Sequence, residues 1–270
     1  MPNSDIIIAQ PWENLDKYKN NPVIHTGQEY LKFINTDLFS EVSRYYLKHK
    51  VYTHAPEGTS EHKEFWDREE KRCKEGRTIG GVRITGEHYA YLNYGRILAT
   101  VEDGGRSRKI DTFPKFLDMD YYWYHELEEA EKNGQGMIVV KARRKGFSYK
   151  NAFGMAWKFT WYPFSVSILA AFEKTFWSNT MEMAKNMINF INQNTDWAKG
   201  FLIDRQDHIK AGYIEKDVIS GINIHKGYKS ELLALSFKDA PQKSVGRTAE
   251  RMLFEEAGDW PGLLQAYQRS

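Results

Sequence analysis

An α/β fold with a mostly parallel sheet flanked by helices is predicted for this chain on three observations. Between residues 137 and 193, apolar strand patterns and helical patterns alternate as βαβα, the order that builds parallel strands with helices over their faces. The first of these strands runs into a basic loop, Lys141-Ala142-Arg143-Arg144-Lys145-Gly146-Phe147-Ser148, which opens a helix. Further along, the apolar run Met252-Leu253-Phe254 ends in the acid pair Glu255-Glu256.

Taken in order, residues 26–50 and 60–76 have helical periodicity, the second strongly charged around Phe65 and Trp66. They define an N-terminal helical region, residues 1–79. From Gly80 the character changes to alternating β-formers over 81–84 and 89–94, with Gly104-Gly105 as a turn. Residues 116–133 read as an aromatic-rich helix stopped at Gly134. Its cluster from Tyr121 to Tyr124 is read as helix core in preference to a base-stacking platform. The core follows as strand 137–142, helix 148–160, strand 165–171 and helix 173–193. Residues 209–237 switch to shorter β-like runs punctuated by Gly212, Gly221 and Gly227, which suggests a small antiparallel insertion before the acid strand. Residues 80–270 thus form one core, with a ligand expected at the carboxyl edge of its sheet.

Composition narrows the function. With 270 residues, 41% of them hydrophobic and 14% aromatic, the chain can bury a large core, which argues against disorder. A net charge of +2, from 38 basic and 36 acidic residues, does not advertise a DNA-dedicated domain, so any DNA contact must be local. Cys73 is alone, which rules out a disulfide framework, and no Cys/His cluster has zinc spacing. A reducing cytoplasm fits this. The first ten residues carry an apolar run only over 6–9 and no basic leader, and no stretch approaches 18 apolar residues, so neither export nor membrane insertion is expected.

The basic loop reads as a phosphate-binding loop with its lysine moved. The usual loop has glycine, four variable residues, glycine, lysine, then serine or threonine. Gly146 and Ser148 fit, whereas Lys141 holds the first glycine position and Phe147 the lysine position. The charge is kept and relocated to the opposite limb. Backbone N–H groups at the start of the following helix still favour an anion there, and the Ser148 hydroxyl would face Mg²⁺. The alternatives are a plain strand-to-helix turn with a solvated basic face, or a patch touching nucleic-acid backbone. The acid pair weighs toward phosphate chemistry, because one carboxylate serves a metal shell and its neighbour an attacking water.

These residues resemble the large terminase subunits of tailed bacteriophages, the ATPases that drive double-stranded DNA into procapsids. Members of that family carry a deviant phosphate loop with lysine at its beginning, arginine inside and Gly-aromatic-Ser at its end, as in Lys141 to Ser148. The pair Gly246-Arg247 ahead of Met252-Leu253-Phe254-Glu255-Glu256-Ala257-Gly258 is similar to the family's Gly-Arg element before its acid pair. The resemblance covers roughly residue 80 to the end.

It implies an ASCE-type P-loop NTPase core that uses ATP and Mg²⁺. Lys141 looks like the phosphate lysine, within a nucleotide-binding loop that runs through Ala142, Arg143, Arg144, Lys145, Gly146, Phe147 and Ser148 to Tyr149. Ser148 and Glu255 resemble the metal-side pair, Glu256 the catalytic carboxylate, and Arg143 or Arg144 the arginine that senses or stabilises the γ-phosphate. The implied partners are double-stranded DNA, the portal protein and the small terminase subunit, in a homo-oligomeric ring at the procapsid portal in the host cytoplasm. Departures are specific: Glu255 stands where the family has aspartate, and no glutamine for adenine occurs in residues 111–116, which leaves Phe113 and Phe116 as core residues or adenine-side contacts. The chain also stops at Ser270, where the family continues with a further core strand and a nuclease domain, so a C-terminally incomplete ATPase fragment is expected. A helicase-type translocase, or a non-catalytic DNA-binding or assembly module with a degenerate loop, are the rival readings.

Overall fold

Residues 7–8, 36–141, 146–238 and 248–268 are described by the computed structural model, and the chain falls into two units, Met1–Lys145 and Gly146–Ser270. The change of character at Gly80 lies inside the first.

In the first unit, strand β1 (Ile7–Ile8) and a 3-10 turn (Thr36–Ser40) precede helices α1 (Glu41–His49) and α2 (Ser60–Glu75). Thr59 starts α2 by accepting the N–H of His62, and the exposed side of the helix carries the i,i+4 pairs Lys63–Asp67 and Glu70–Lys74. On its inner side the fully buried Glu69 carboxylate meets Arg72 at 2.7 Å and the hydroxyls of Tyr89 and Tyr94 at 2.6 and 3.1 Å. A buried charge is tolerable only when paired and hydrogen-bonded in this way.

Strands β2 (Arg77–Ile79) and β3 (Val82–Ile84) form a hairpin that leads into α3 (Gly86–Tyr94). Here the β-like pattern read over 89–94 is corrected to a helix. Thr85 caps it by accepting the N–H of His88, and every residue of α3 is buried. In a segment enclosed on all sides alternation carries no information, and packing overrides the strand preference of tyrosine. Gly86 allows the close approach of α3 to α2, since a Cβ there would lie 2.3 Å from the Lys74 carbonyl oxygen.

The hairpin of β4 (Ile97–Asp103) and β5 (Arg106–Thr112) turns at Gly104-Gly105, both with positive φ, as the glycine pair predicts. Helix α4 (Asp118–Lys132) ends at Asn133, followed by Gly134 in the left-handed region. Residues Tyr121, Tyr122, Trp123 and Tyr124 are buried on it, so the aromatic cluster is core. Phe113 and Phe116 are packed likewise: the Arg96 guanidinium lies 4.4 Å from the Phe113 ring, and Phe116 stacks with Phe39 and His88. Strand β6 (Met137–Ile138) runs parallel to β1 and is much shorter than the strand expected over 137–142. An apolar run is a strand only as far as a partner ladder runs beside it, and among the described residues the ladder with β1 pairs Met137 and Ile138; Val140, beyond it, is 89% exposed.

The second unit comprises α5 (Phe147–Trp161), β7 (Val166–Ala171), α6 (Lys174–Asn194), β8 (Phe201–Asp204), β9 (His208–Ala211), β10 (Tyr213–Lys216), β11 (Asn223–Lys226), β12 (Glu231–Ser236), β13 (Arg251–Phe254), a 3-10 turn (Ala257–Asp259) and α7 (Leu263–Gln268). Five strands form one sheet in the order β13-β7-β12-β9-β8. β7 is parallel to both neighbours, with Ile168 opposite Met252 on one side and Leu233 on the other. The β12–β9 and β9–β8 pairs are antiparallel, so the sheet is mixed where a mostly parallel one was expected. The region read as an antiparallel insertion divides. β9 joins the sheet between β12 and the edge strand β8, β12 pairs parallel with β7, and the hairpin β10–β11 has a ladder of its own.

Residues Ile168 to Ala171 are buried, the mark of a strand covered on both faces. On one face, α5 and α6 pack on each other and on β7 and β12. Trp177 of α6 donates its indole N–H to Ser236 at 2.8 Å, and the Arg251 guanidinium lies 5.7 Å from the Trp157 ring of α5. On the other face Ala170, Phe237 and Trp260 form a cluster joined by Leu235, Met252 and Phe254. No helix among the described residues is long and apolar enough to cross a membrane.

Candidate functional site

Gly146 adopts φ 72° and ψ 13°, the left-handed conformation that glycine takes at little cost, and it is the cap from which α5 begins. Its carbonyl accepts the N–H of Lys150 at 3.2 Å. Phe147, Ser148 and Tyr149 form the first turn. Phe147 is buried with its ring 3.9 Å from Lys150 Nζ, so the residue in the usual lysine position belongs to the core. Ser148 faces the acid strand instead, its Oγ donating to Glu255 Oε1 at 3.3 Å. One turn further along α5, Asn151 Nδ2 donates to Glu255 Oε2 at 2.9 Å.

Glu255 is delivered by β13. Its N–H bonds the Ala170 carbonyl at 2.9 Å and carries the ladder one residue past the strand. The side chain is buried, and a buried carboxylate requires donors; the Ser148 hydroxyl and the Asn151 amide supply one to each oxygen. Glu256 departs from this environment. It takes φ 50° and ψ 43°, a conformation costing a non-glycine residue about 1–2 kcal/mol, and is exposed at the start of the 3-10 turn. Adjacent acids therefore stand in different surroundings, one inward and one outward.

A hydroxyl beside a carboxylate, both oxygen donors and next to a helix N-terminus, matches what a hard divalent cation needs next to phosphate. Among the described residues no group of three or more His, Cys, Asp or Glu side chains converges on a point. Magnesium keeps several waters and takes phosphate oxygens, so it needs no such cage.

Of the residues singled out from sequence, Ser148 and Glu255 are thus brought together. Lys141 belongs to the first unit and is exposed. Ala142, Arg143, Arg144, Lys145 and the Gly246-Arg247 pair lie outside the described residues. Asn151 is a contact that the sequence reading missed. Its spacing of three from Ser148 on a predicted helix is the signal that finds it.

No protein-family model matches this chain, and no curated protein matches it. Among solved structures, a mutant of the large terminase ATPase domain of Thermus phage P74-26 is similar at 16% identity and a TM-score of 0.34, over 44% of this chain and 47% of that one. The similar part spans less than half the length of that domain.

Proposed function

We propose that this chain is a P-loop ATPase of the ASCE type and, from the resemblance of its two motifs, the motor domain of a terminase large subunit that couples ATP hydrolysis to movement of double-stranded DNA into a procapsid. The observation that carries the proposal is the contact between Ser148 and Glu255: the hydroxyl that follows the loop glycine and the first acid after a core strand meet as a magnesium pair requires.

In this reading, Lys141 brings its ammonium to the phosphates from the start of the loop, while Gly146 and the first N–H groups of α5 cradle their oxygens. Ala142, Lys145, Phe147 and Tyr149 complete the loop. Ser148 and Glu255 hold Mg²⁺. Glu256, outward-facing, orients the attacking water, and Arg143 or Arg144 meets the charge that develops on the equatorial oxygens. Bound Mg·ATP supplies the phosphoryl group and neutralises part of its own leaving charge. DNA, the portal protein, the small subunit and a ring of copies at the portal in the host cytoplasm are the partners and setting this reading entails. A non-catalytic module remains the second reading, and the burial of Phe147 in the conventional lysine position favours it.

Calorimetry of Mg·ATP binding decides between them. The motor reading expects binding that is lost in Lys141→Ala; no binding, or binding indifferent to that change, leaves the inert module.

A further inference from the structure

We infer that Asn151 is a positioning residue that sets which oxygen of Glu255 faces the metal side of the site, an inference that rests on the ATPase reading above. A glutamate carboxylate sits at the end of a flexible side chain, with freedom to rotate away from a cation. Asn151 removes that freedom. Its amide takes Oε2 at 2.9 Å and thereby leaves Oε1 beside the Ser148 hydroxyl at 3.3 Å. Both donors come from successive turns of one helix, and the residues immediately after Asn151, Ala152 and Phe153, are fully buried, so the amide is mounted on an anchored element. At the other end the Glu255 N–H is fixed to Ala170. The carboxylate is therefore held between a strand that delivers it and an amide that orients it, the arrangement by which outer partners tune a ligand without touching the metal.

The inference is testable by moving one methylene of length from the acid to the amide. Titrating Mg²⁺ against ATP binding in the 270-residue chain, we expect N151A to raise the Mg²⁺ concentration for half-maximal binding about 10- to 100-fold, with ATP binding kept at saturating Mg²⁺. E255D draws the carboxylate back from the amide and shifts the titration the same way. Adding N151Q to E255D extends the amide by the methylene that the acid has lost, and recovers most of the shift. An amide that served only to satisfy a buried acid would lower the melting temperature and leave the titration in place. An unchanged Mg²⁺ dependence in N151A, or no recovery in E255D/N151Q, overturns the inference while the ATPase reading stands; absence of Mg·ATP binding in the unsubstituted chain overturns both. If N151A does not fold, the E255D pair carries the test alone.

Discussion

Ser148 and Glu255 stand 107 positions apart in the chain and meet at 3.3 Å, a hydroxyl from the first turn of α5 against a carboxylate from the end of β13. The residue after Glu255 turns outward, so one dipeptide supplies an enclosed acid and a solvated one.

On the proposed ATPase reading, that division is expected to separate binding from turnover. E256Q is expected to bind Mg·ATP as the unsubstituted chain does and to lose about 10²- to 10⁴-fold in kcat, the usual contribution of a general base. E255A and S148A are expected to weaken Mg·ATP binding itself. Calorimetry paired with phosphate release reads both quantities; equal loss of affinity in E256Q and E255A contradicts the division.

The two loop arginines are told apart by kinetics. Alanine at Arg143 or at Arg144 is expected to lower kcat about 10³- to 10⁵-fold for whichever residue meets the transferred group, with little change at the other. Two near-normal turnover numbers remove the loop from the chemistry.

Two glycines are required for opposite reasons, and melting curves distinguish them. Gly146 has open space where a Cβ would go but a φ of 72°, so G146A pays only backbone strain, about 1 kcal/mol. Gly86 has ordinary φ but would place a Cβ against the Lys74 backbone, 2.3 Å from its oxygen and 2.5 Å from its carbonyl carbon. Since backbone cannot step aside as a side chain can, G86A is expected to cost about 3 kcal/mol. A G86A variant that melts above G146A contradicts the packing of α2 on α3.

Acid sensitivity has an identifiable source in the first unit. Burial acts to raise the Glu128 pKa, but bonds at 2.8 Å from both terminal nitrogens of Arg83, with Lys132 at 2.9 Å, prevail and hold it at about 2. The unfolded carboxyl titrates near 4.3. With the folded value the lower one, this stabilisation is complete above the unfolded pKa and is lost as pH falls from about 4.3 toward 2. E128Q is expected to cost about 1 kcal/mol at pH 7, the upper range for a partly exposed pair, and to be less sensitive between pH 5 and pH 3. Parallel pH profiles for the two proteins would assign the acid response elsewhere.

Elements with a local cause were readable from sequence, and those decided by distant partners were not. The Gly104-Gly105 turn, the stop of α4 at Asn133 and Gly134, and helices α2, α5 and α6 follow from caps, glycines and periodicity within each segment. Strand β13 and its acid pair were legible as an apolar run with a charged end. By contrast, the pattern of Tyr89 to Tyr94 looks like a strand until the helix is seen to be enclosed on every side. The run after Met137 looks like a core strand, yet among the described residues β6 spans only the two pairs of its ladder with β1. Glu231 to Ser236 gave no sign of lying parallel to β7 rather than within a meander, because parallel pairing is a property of the connection and not of the six residues themselves. At the site, the hydroxyl and the carboxylate were visible as motif members, whereas Asn151 carries no motif and is found by its turn of helix.

The position of β7 between β12 and β13 has a bearing on how the protein is made. Both neighbours are translated well after it, so Ile168 to Ala171 leave the ribosome with neither ladder available to them. Such distant pairings are slow to form and leave apolar edges open while they wait. Synthesis of this unit should therefore lean on chaperones, or on the early helix pair α5 and α6 shielding one side of the waiting strand.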